Sequence, residues 1–259
     1  MNEIFAVAGV VIKELYRRKD FYVLFILTVV ICLVMASVNI YNDNEIIRYI
    51  KALCLLLIWI SSLVIAVTTT ARQIPVEREQ RTLLPLLAKP LSRTQLIFGK
   101  FLGCWLACGL VLLCFYAFFG ALAASREHAW PLMNYFQAAL LHWFTLGVVI
   151  ALTLLGSLVF AAPSSNSTIC FVIVATILCI GRYLDLVALR LAEPMRSVIY
   201  AIYYAVPHLE WAFGMRNLIV HDWPLISWSF ILLDAVYLLA YAVVFLVAAC
   251  LVFRRKAVN

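Results

Sequence analysis

The chain has 259 residues, of which 66% are hydrophobic and only 13% charged, where a soluble domain carries roughly 25% charged residues. So apolar a chain cannot bury its surface in water, which excludes a soluble enzyme domain and predicts an all-α, polytopic membrane protein. The formal net charge of +7, from 20 basic and 13 acidic residues, is read through its distribution, as a topology signal and not as a nucleic-acid interface.

The first 20 residues place Ile4, Phe5, Ala8, Val11, Ile12 and Leu15 on one helical face and Lys13, Glu14, Arg17 and Arg18 on the other. That pattern suits a helix lying in the membrane interface, or an ordinary basic flank to the first span. The first long apolar run follows this basic cluster and leads on into the chain, so no cleaved leader is predicted. Apolar runs long enough to cross lie at about 21–40, 52–71, 101–124, 135–161, 168–189 and 228–253. Six transmembrane helices are predicted, within one transmembrane domain covering residues 1–259.

Between the second and third runs lies a charged loop, 72–93. Pro75 can open a short helix there, with Glu77 and Glu79 where a helix N-terminus favours negative charge. Leu83, Leu84, Leu86 and Leu87 supply an apolar face, Pro90 ends it, and Ser92 with Gln95 makes a capping box for the third span. The loop reads as an amphipathic partner-docking helix or as a solvated basic loop. Gly99, Gly103 and Ala107 form a strip of small residues at the start of the third span, a seam for a helix of the same chain or of a second copy.

Further on, Arg182 and Asp185 lie one turn apart near the outer end of the fifth span, and Asp234 falls at similar depth in the sixth. Charges at such depth mark a gate, a substrate contact or a structural ion pair. The connection 190–227 holds an apolar stretch, 198–206, too short to cross, then Pro207, Trp211, Trp223 and Trp228. It reads as a pair of outer re-entrant or interfacial helices. A seventh span there would put Arg254, Arg255 and Lys256 outside.

Orientation follows from the basic residues. With both termini and the 72–93 loop in the cytoplasm, that side holds 13 of the 20 basic residues and five of the 13 acidic ones. Both termini are therefore predicted to be cytoplasmic, which requires an even number of spans.

Chemical motifs are scarce. Gly99-Lys100 lacks the upstream glycine and following Ser or Thr of a phosphate-binding loop, and GxGxxG, HExxH and GxSxG do not occur. The four histidines have no i, i+4 partner among them, and the eight cysteines sit in or beside apolar runs without CxxC spacing. No catalytic residue, metal ligand or cofactor site is predicted in this chain. Asn166-Ser167-Thr168 matches a glycosylation sequon, but falls on the predicted cytoplasmic side.

One segment carries a family resemblance. Glu77, Glu79, Thr82, Leu83, Leu86, Leu87, Pro90, Ser92, Arg93, Gly99 and Lys100 occupy the positions of a motif found in the coupling-helix region of type-2 ABC exporter permeases, which this region strongly resembles. Arg81 stands where glycine is common in that family, and Pro85 should kink or shorten the coupling helix. Tyr203-Tyr204-x-x-Pro207-x-Leu209-Glu210 is similar to a recurring segment ahead of the final span. The resemblance implies the membrane subunit of an exporter in a bacterial plasma membrane, paired with itself or a related permease. It further implies two copies of a separate ATPase subunit that holds ATP and Mg. Glu77, Arg78, Glu79, Arg81, Thr82, Leu83, Leu86 and Leu87 would then couple to that ATPase. The competing readings are an ion-coupled secondary carrier using Arg182, Asp185 and Asp234, which would need two repeated halves that the sequence does not display, and an intramembrane enzyme.

Overall fold

The computed structural model describes residues 2–17, 19–37, 44–80, 92–127 and 131–255. Among these, every regular element is helical. The helices are α1 (Asn2–Tyr16), α2 (Lys19–Ser37), α3 (Asn44–Ala71), α4 (Pro75–Glu79), α5 (Arg93–Glu127), α6 (Leu132–Val159), α7 (Pro163–Ala188), α8 (Met195–Ala205), α9 (Leu209–Gly214), α10 (Asn217–Val220) and α11 (Trp228–Arg255).

Four stretches of the described chain are long and apolar enough to cross a membrane: Ile47–Glu79, Arg93–Ser125, Leu132–Val159 and Trp228–Arg255. The other two predicted spans fall on α2 and α7, whose apolar stretches among the described residues are Phe25–Val34 and Pro163–Cys179. Lys19 and Asp20 open α2, whereas α7 opens on Ser164, Ser165, Asn166, Ser167 and Thr168 and carries Arg182 and Asp185 towards its end.

Helix α6 is the most enclosed of the four long helices and packs against α3, α5, α7, α9, α10 and α11. Along α11, Ala235, Leu238, Ala242, Leu246 and Ala249 are all buried. This alternation of small and large residues lets two helices approach closely where lipid offers no hydrophobic drive for association. The α5–α6 contact is reciprocal. Trp105 Nε1 donates to the Trp143 carbonyl at 3.0 Å and Trp143 Nε1 donates to the Trp105 carbonyl at 3.0 Å, with the rings stacked at 4.5 Å. Each indole needs a facing glycine: a Cβ on Gly109 would stand 2.5 Å from Trp143 Nε1, and one on Gly147 would stand 3.0 Å from Trp105 Nε1.

A buried polar hub joins three helices. Ser62 of α3 lies 2.9 Å from His142 Nε2, Tyr116 of α5 lies 3.3 Å from His142 Nδ1, and Trp59 stacks on the imidazole at 5.6 Å. With apolar surroundings on every side, each ring nitrogen finds a hydroxyl partner from a neighbouring helix. Asn166 is also buried; its amide donates to the Thr153 carbonyl at 3.0 Å, which removes it as a glycan acceptor.

The bundle has two ends. Antiparallel α5 and α6 bring the start of α5, the end of α6, the start of α7 and the end of α11 to one of them. At the other end the connection between α7 and α11 folds down as three short helices instead of the predicted pair. Its carbonyls are met by side chains of α6. The Asn134 amide donates to Leu218 and Trp223 at 3.4 and 3.1 Å, and the Gln137 amide donates to Ile226 at 2.9 Å while its oxygen accepts the Ile226 N–H at 3.3 Å. Leu218, Ile219 and Val220 of α10 are buried as a result.

Replacing Gly109 by Leu should force the indole pair apart. The expected cost is about 1–3 kcal/mol, read as a lower melting midpoint of the detergent-solubilised protein. Gly120→Ala, where the nearest atom would be Tyr135 at 3.7 Å, should leave the midpoint unchanged.

Candidate functional site

The first two turns of α5 form a junction on which three other parts of the chain converge. The helix opens with the reciprocal capping box: the Ser92 N–H donates to Gln95 Oε1 at 2.7 Å and the Gln95 N–H donates to Ser92 Oγ at 3.2 Å. This satisfies two of the donors that a helix start leaves open.

Arg93 then reaches the far end of the sequence. Its Nη1 donates to the Phe253 carbonyl at 2.9 Å and to the Arg254 carbonyl at 3.4 Å, and its guanidinium sits 5.4 Å above the Phe253 ring. A cation at a helix C-terminus meets both the orphan carbonyls and the negative end of the helix dipole.

Gly99 and Gly103 seat α1. A Cβ on Gly99 would stand 2.8 Å from Val7 Cβ, and one on Gly103 would stand 2.7 Å from Val11 Cβ and 2.9 Å from the Ala8 carbonyl. The small-residue strip is thus a seam within the chain. Of the predicted apolar face of α1, Ala8, Val11 and Leu15 are buried and Ile4 and Ile12 half-buried, while Phe5 is exposed. Lys13, Glu14 and Arg17 lie on the exposed side as expected.

Lys100 is the centre of the junction. Its side chain is only 2% exposed, and an ammonium so enclosed requires acceptors. Three are supplied by the elbow that follows α3: the Gln73 carbonyl at 2.9 Å, Gln73 Oε1 at 3.3 Å and Glu77 Oε1 at 2.7 Å. They match the three N–H bonds of the ammonium, one each. Glu77 is 24% exposed, so the ion pair sits at the edge of the bundle, where a charge-assisted bond is strong and its desolvation is incomplete.

The elbow is shaped to present those acceptors. Gln73, Ile74 and Pro75 are buried, and the Gln73 N–H donates to the Thr70 carbonyl at 3.1 Å. Pro75 begins α4 at the position where its missing N–H costs nothing. The Val76 and Arg78 N–H groups donate to Arg72 and Ile74 at 3.2 and 3.0 Å, which turns Glu77 back towards Lys100.

The predicted coupling residues therefore divide. Glu77 faces inward on Lys100, Arg78 is half-buried and Glu79 is exposed. Arg81, Thr82, Leu83, Leu86 and Leu87 lie outside the described residues, as does Pro85. Helix α7 carries Arg182 and Asp185, but their side chains are outside the described residues. Asp234 is half-buried on α11 and shares a small cavity with His208, Trp211 and Tyr237. Lys100 and Gln73 were missed as site residues on sequence grounds. The signal was present in Lys100 itself, a lone cation inside an apolar helical run, which demands a partner at that depth.

The sequence pattern of ABC-2 family transporter proteins matches residues 29–251. The chain belongs to that family: it is a multi-pass membrane protein of the ABC transporter permease type. No curated protein matches it.

Removing the ammonium should loosen the elbow. Lys100→Met removes the ammonium that pairs with Glu77, and breaking such a pair costs about 3–5 kcal/mol when buried, less at a half-open edge. The expected outcome is faster amide exchange in residues 71–80, by about 100-fold, with Glu79→Ala exchanging as the unaltered protein does. Unchanged exchange in Lys100→Met would show that packing alone holds the elbow.

Proposed function

We propose that this chain is the membrane-spanning permease of an ATP-binding-cassette exporter, working as a pair of permeases with two copies of a separate ATPase subunit. In this reading α2, α3, α5, α6, α7 and α11 are the six spans of each permease, α1 lies at the cytoplasmic interface, and both termini face the cytoplasm of a bacterial cell. The 72–93 loop meets the ATPase, which binds ATP and Mg.

The observation that carries this reading is the Lys100 junction. A loop that receives force from a partner must be fixed to the spans it moves, or the displacement is lost in the loop. Here the elbow after α3 is bound through Gln73 and Glu77 to the foot of α5, and the same foot is bound to α1 and to the end of α11. A push on α4 is therefore delivered to four helices at once. The spans adopt two packings, and the ATPase favours one of them through its differential contacts with the loop.

The charged residues then have separate roles. Glu77 is a positioning residue that holds the elbow, whereas Arg78, Glu79 and Arg81 face the ATPase and set register and specificity more than affinity. Thr82, Leu83, Leu86 and Leu87 complete the docking surface.

Purification of the tagged chain from its native membrane in mild detergent tests this reading. A Walker-motif ATPase should co-purify, and the double reversal Arg78→Glu/Glu79→Arg should release it. Glu77→Gln should keep the ATPase bound but lower transport-coupled hydrolysis about tenfold, the effect of losing about 1.4 kcal/mol in the coupled state. A chain recovered alone, with transport activity of its own, would overturn the assignment.

A further inference from the structure

At the end of the bundle opposite Lys100, α7, α8, α9 and α10 line an open-mouthed cavity of about 490 Å³. That is within the size of small-molecule sites, about 300–1,000 Å³. Its walls include Tyr203, Glu210, Trp211, Phe213, Arg216 and Asn217. The segment singled out in the sequence, from Tyr203 to Glu210, supplies one side of it.

The carboxylate of Glu210 is built into place. Its Oε1 lies 3.0 Å from His208 Nδ1, and the His208 ring packs on Tyr203 at 4.3 Å and on Trp211 at 5.0 Å. The His208 N–H donates to Tyr237 of α11 at 3.2 Å, which holds the turn to the bundle. The carboxylate also lies against the backbone of α7 at Gly181, where a Cβ would come within 2.9 Å of Oε2. The side chain is 13% exposed, and Oε2 is buried with no hydrogen-bond partner among the described residues.

Arg216 lines the same cavity. Its guanidinium sits 4.0 Å over the Phe213 ring, and partial burial lowers its pKa from the ordinary value. Among the described residues the carboxylate and the guanidinium do not form an ion pair with each other. A buried carboxylate oxygen with nothing to accept from is costly, and an opposite charge on the same wall would relieve that cost if the two met. They are held apart on separate scaffolds instead, Glu210 by His208 and Arg216 by Phe213.

We propose that this cavity binds a zwitterionic amine–acid group, with the ammonium on Glu210 Oε2 and the anionic end on Arg216 and Asn217. A primary ammonium supplies a donor to Oε2, and Tyr203 and Trp211 line the same cavity with aromatic rings, which attract a cation. The guanidinium presents several N–H donors to a phosphate or carboxylate. The chemistry is shared by the phosphoethanolamine headgroup of a lipid and by a free amino acid or peptide end. The proposal stands on this cavity alone and does not depend on the role of the 72–93 loop.

The test uses the full chain in nanodiscs of phosphatidylglycerol, which has no amine. Soluble phosphoethanolamine and alanylalanine are titrated by equilibrium dialysis, and phosphatidylethanolamine is offered in a second set of nanodiscs, with retained lipid read by native mass spectrometry. Saturable binding of either soluble probe supports the proposal with a soluble source, and selective retention of phosphatidylethanolamine supports it with a lipid source. In either case Glu210→Gln, which preserves shape and can still accept from His208, should weaken binding about 10- to 100-fold. Arg216→Gln should weaken it as well, and serves if Glu210→Gln lowers the melting midpoint. No saturable binding of any probe, or binding unaltered in both variants, would overturn the proposal.

Discussion

An ammonium inside an apolar bundle is the constraint on which one end of this architecture turns. Lys100 has almost no contact with solvent, so its charge must be met by fixed acceptors or the helix cannot keep its position. The acceptors come from a segment that would otherwise be a free loop. Gln73 is buried with both its carbonyl and its side-chain oxygen turned to Lys100, and α4 exists in the orientation that brings Glu77 to the third N–H. Because Gly99 precedes Lys100 and Gly103 follows one turn later, the opposite side of the same turns is free to take α1. One short stretch of α5 thereby serves two partners on different faces. The lysine orders the elbow through charge, and the glycines order α1 through closeness of approach.

Rigidity within the bundle has a different source. Hydrophobic burial does little to choose one helix arrangement over another in lipid, where the alternative surroundings are equally apolar. Specific contacts must do so. The exchanged indole bonds of Trp105 and Trp143 fix α5 against α6 in both rotation and register, since a slide of one turn would break both bonds and drive each ring into a backbone without a glycine. The His142 hub adds α3 to that pair. These contacts are directional, so the three helices form a block whose internal geometry is hard to deform.

Much of the local structure was legible in the sequence because its causes are local. The capping box at Ser92 and Gln95, the helix opened by Pro75 and the close-approach strip at Gly99 and Gly103 each depend on residues within a few positions of one another. The long apolar helices follow from composition alone. The junction was less legible because its partners are distant along the chain: Lys100 meets Glu77 across 23 positions and Gln73 across 27, and Ser62 meets His142 across 80. The sequence grouped Glu77 with the charges that would couple to an ATPase, and gave no sign that the Lys100 ammonium, 23 positions on, would hold its carboxylate. Phe5 shows the converse limit. It falls on the apolar arc of α1, yet the seam formed by two glycines is too narrow to cover that arc, and its ring is left exposed. The Glu210 cavity was hidden for another reason. Its two charges share a wall because α9 packs on α6 and α7 while Asn134 and Gln137 of α6 hold the chain from α10 onward.

These contacts also show where the bundle can change its packing. The α3–α5–α6 block is tied by side-chain bonds to its own members, whereas α8 has no buried residue and Val172, Tyr183, Leu186 and Val187 of α7 stand exposed. Shear between packed helices requires an interface with few directional bonds. Among the described residues, the Tyr241 hydroxyl of α11 donates to the Tyr204 carbonyl of α8 at 3.1 Å, and Asn166 anchors the start of α7 through the Thr153 carbonyl. Movement of α7 about that anchor would be largest at its other end, which is where Gly181 makes room for the Glu210 carboxylate. The cavity volume thus depends on the position of α7, while the carboxylate is held through His208, whose N–H donates to Tyr237 of α11. A group bound between them would resist displacement of α7, and displacement of α7 would weaken its binding by the same free energy.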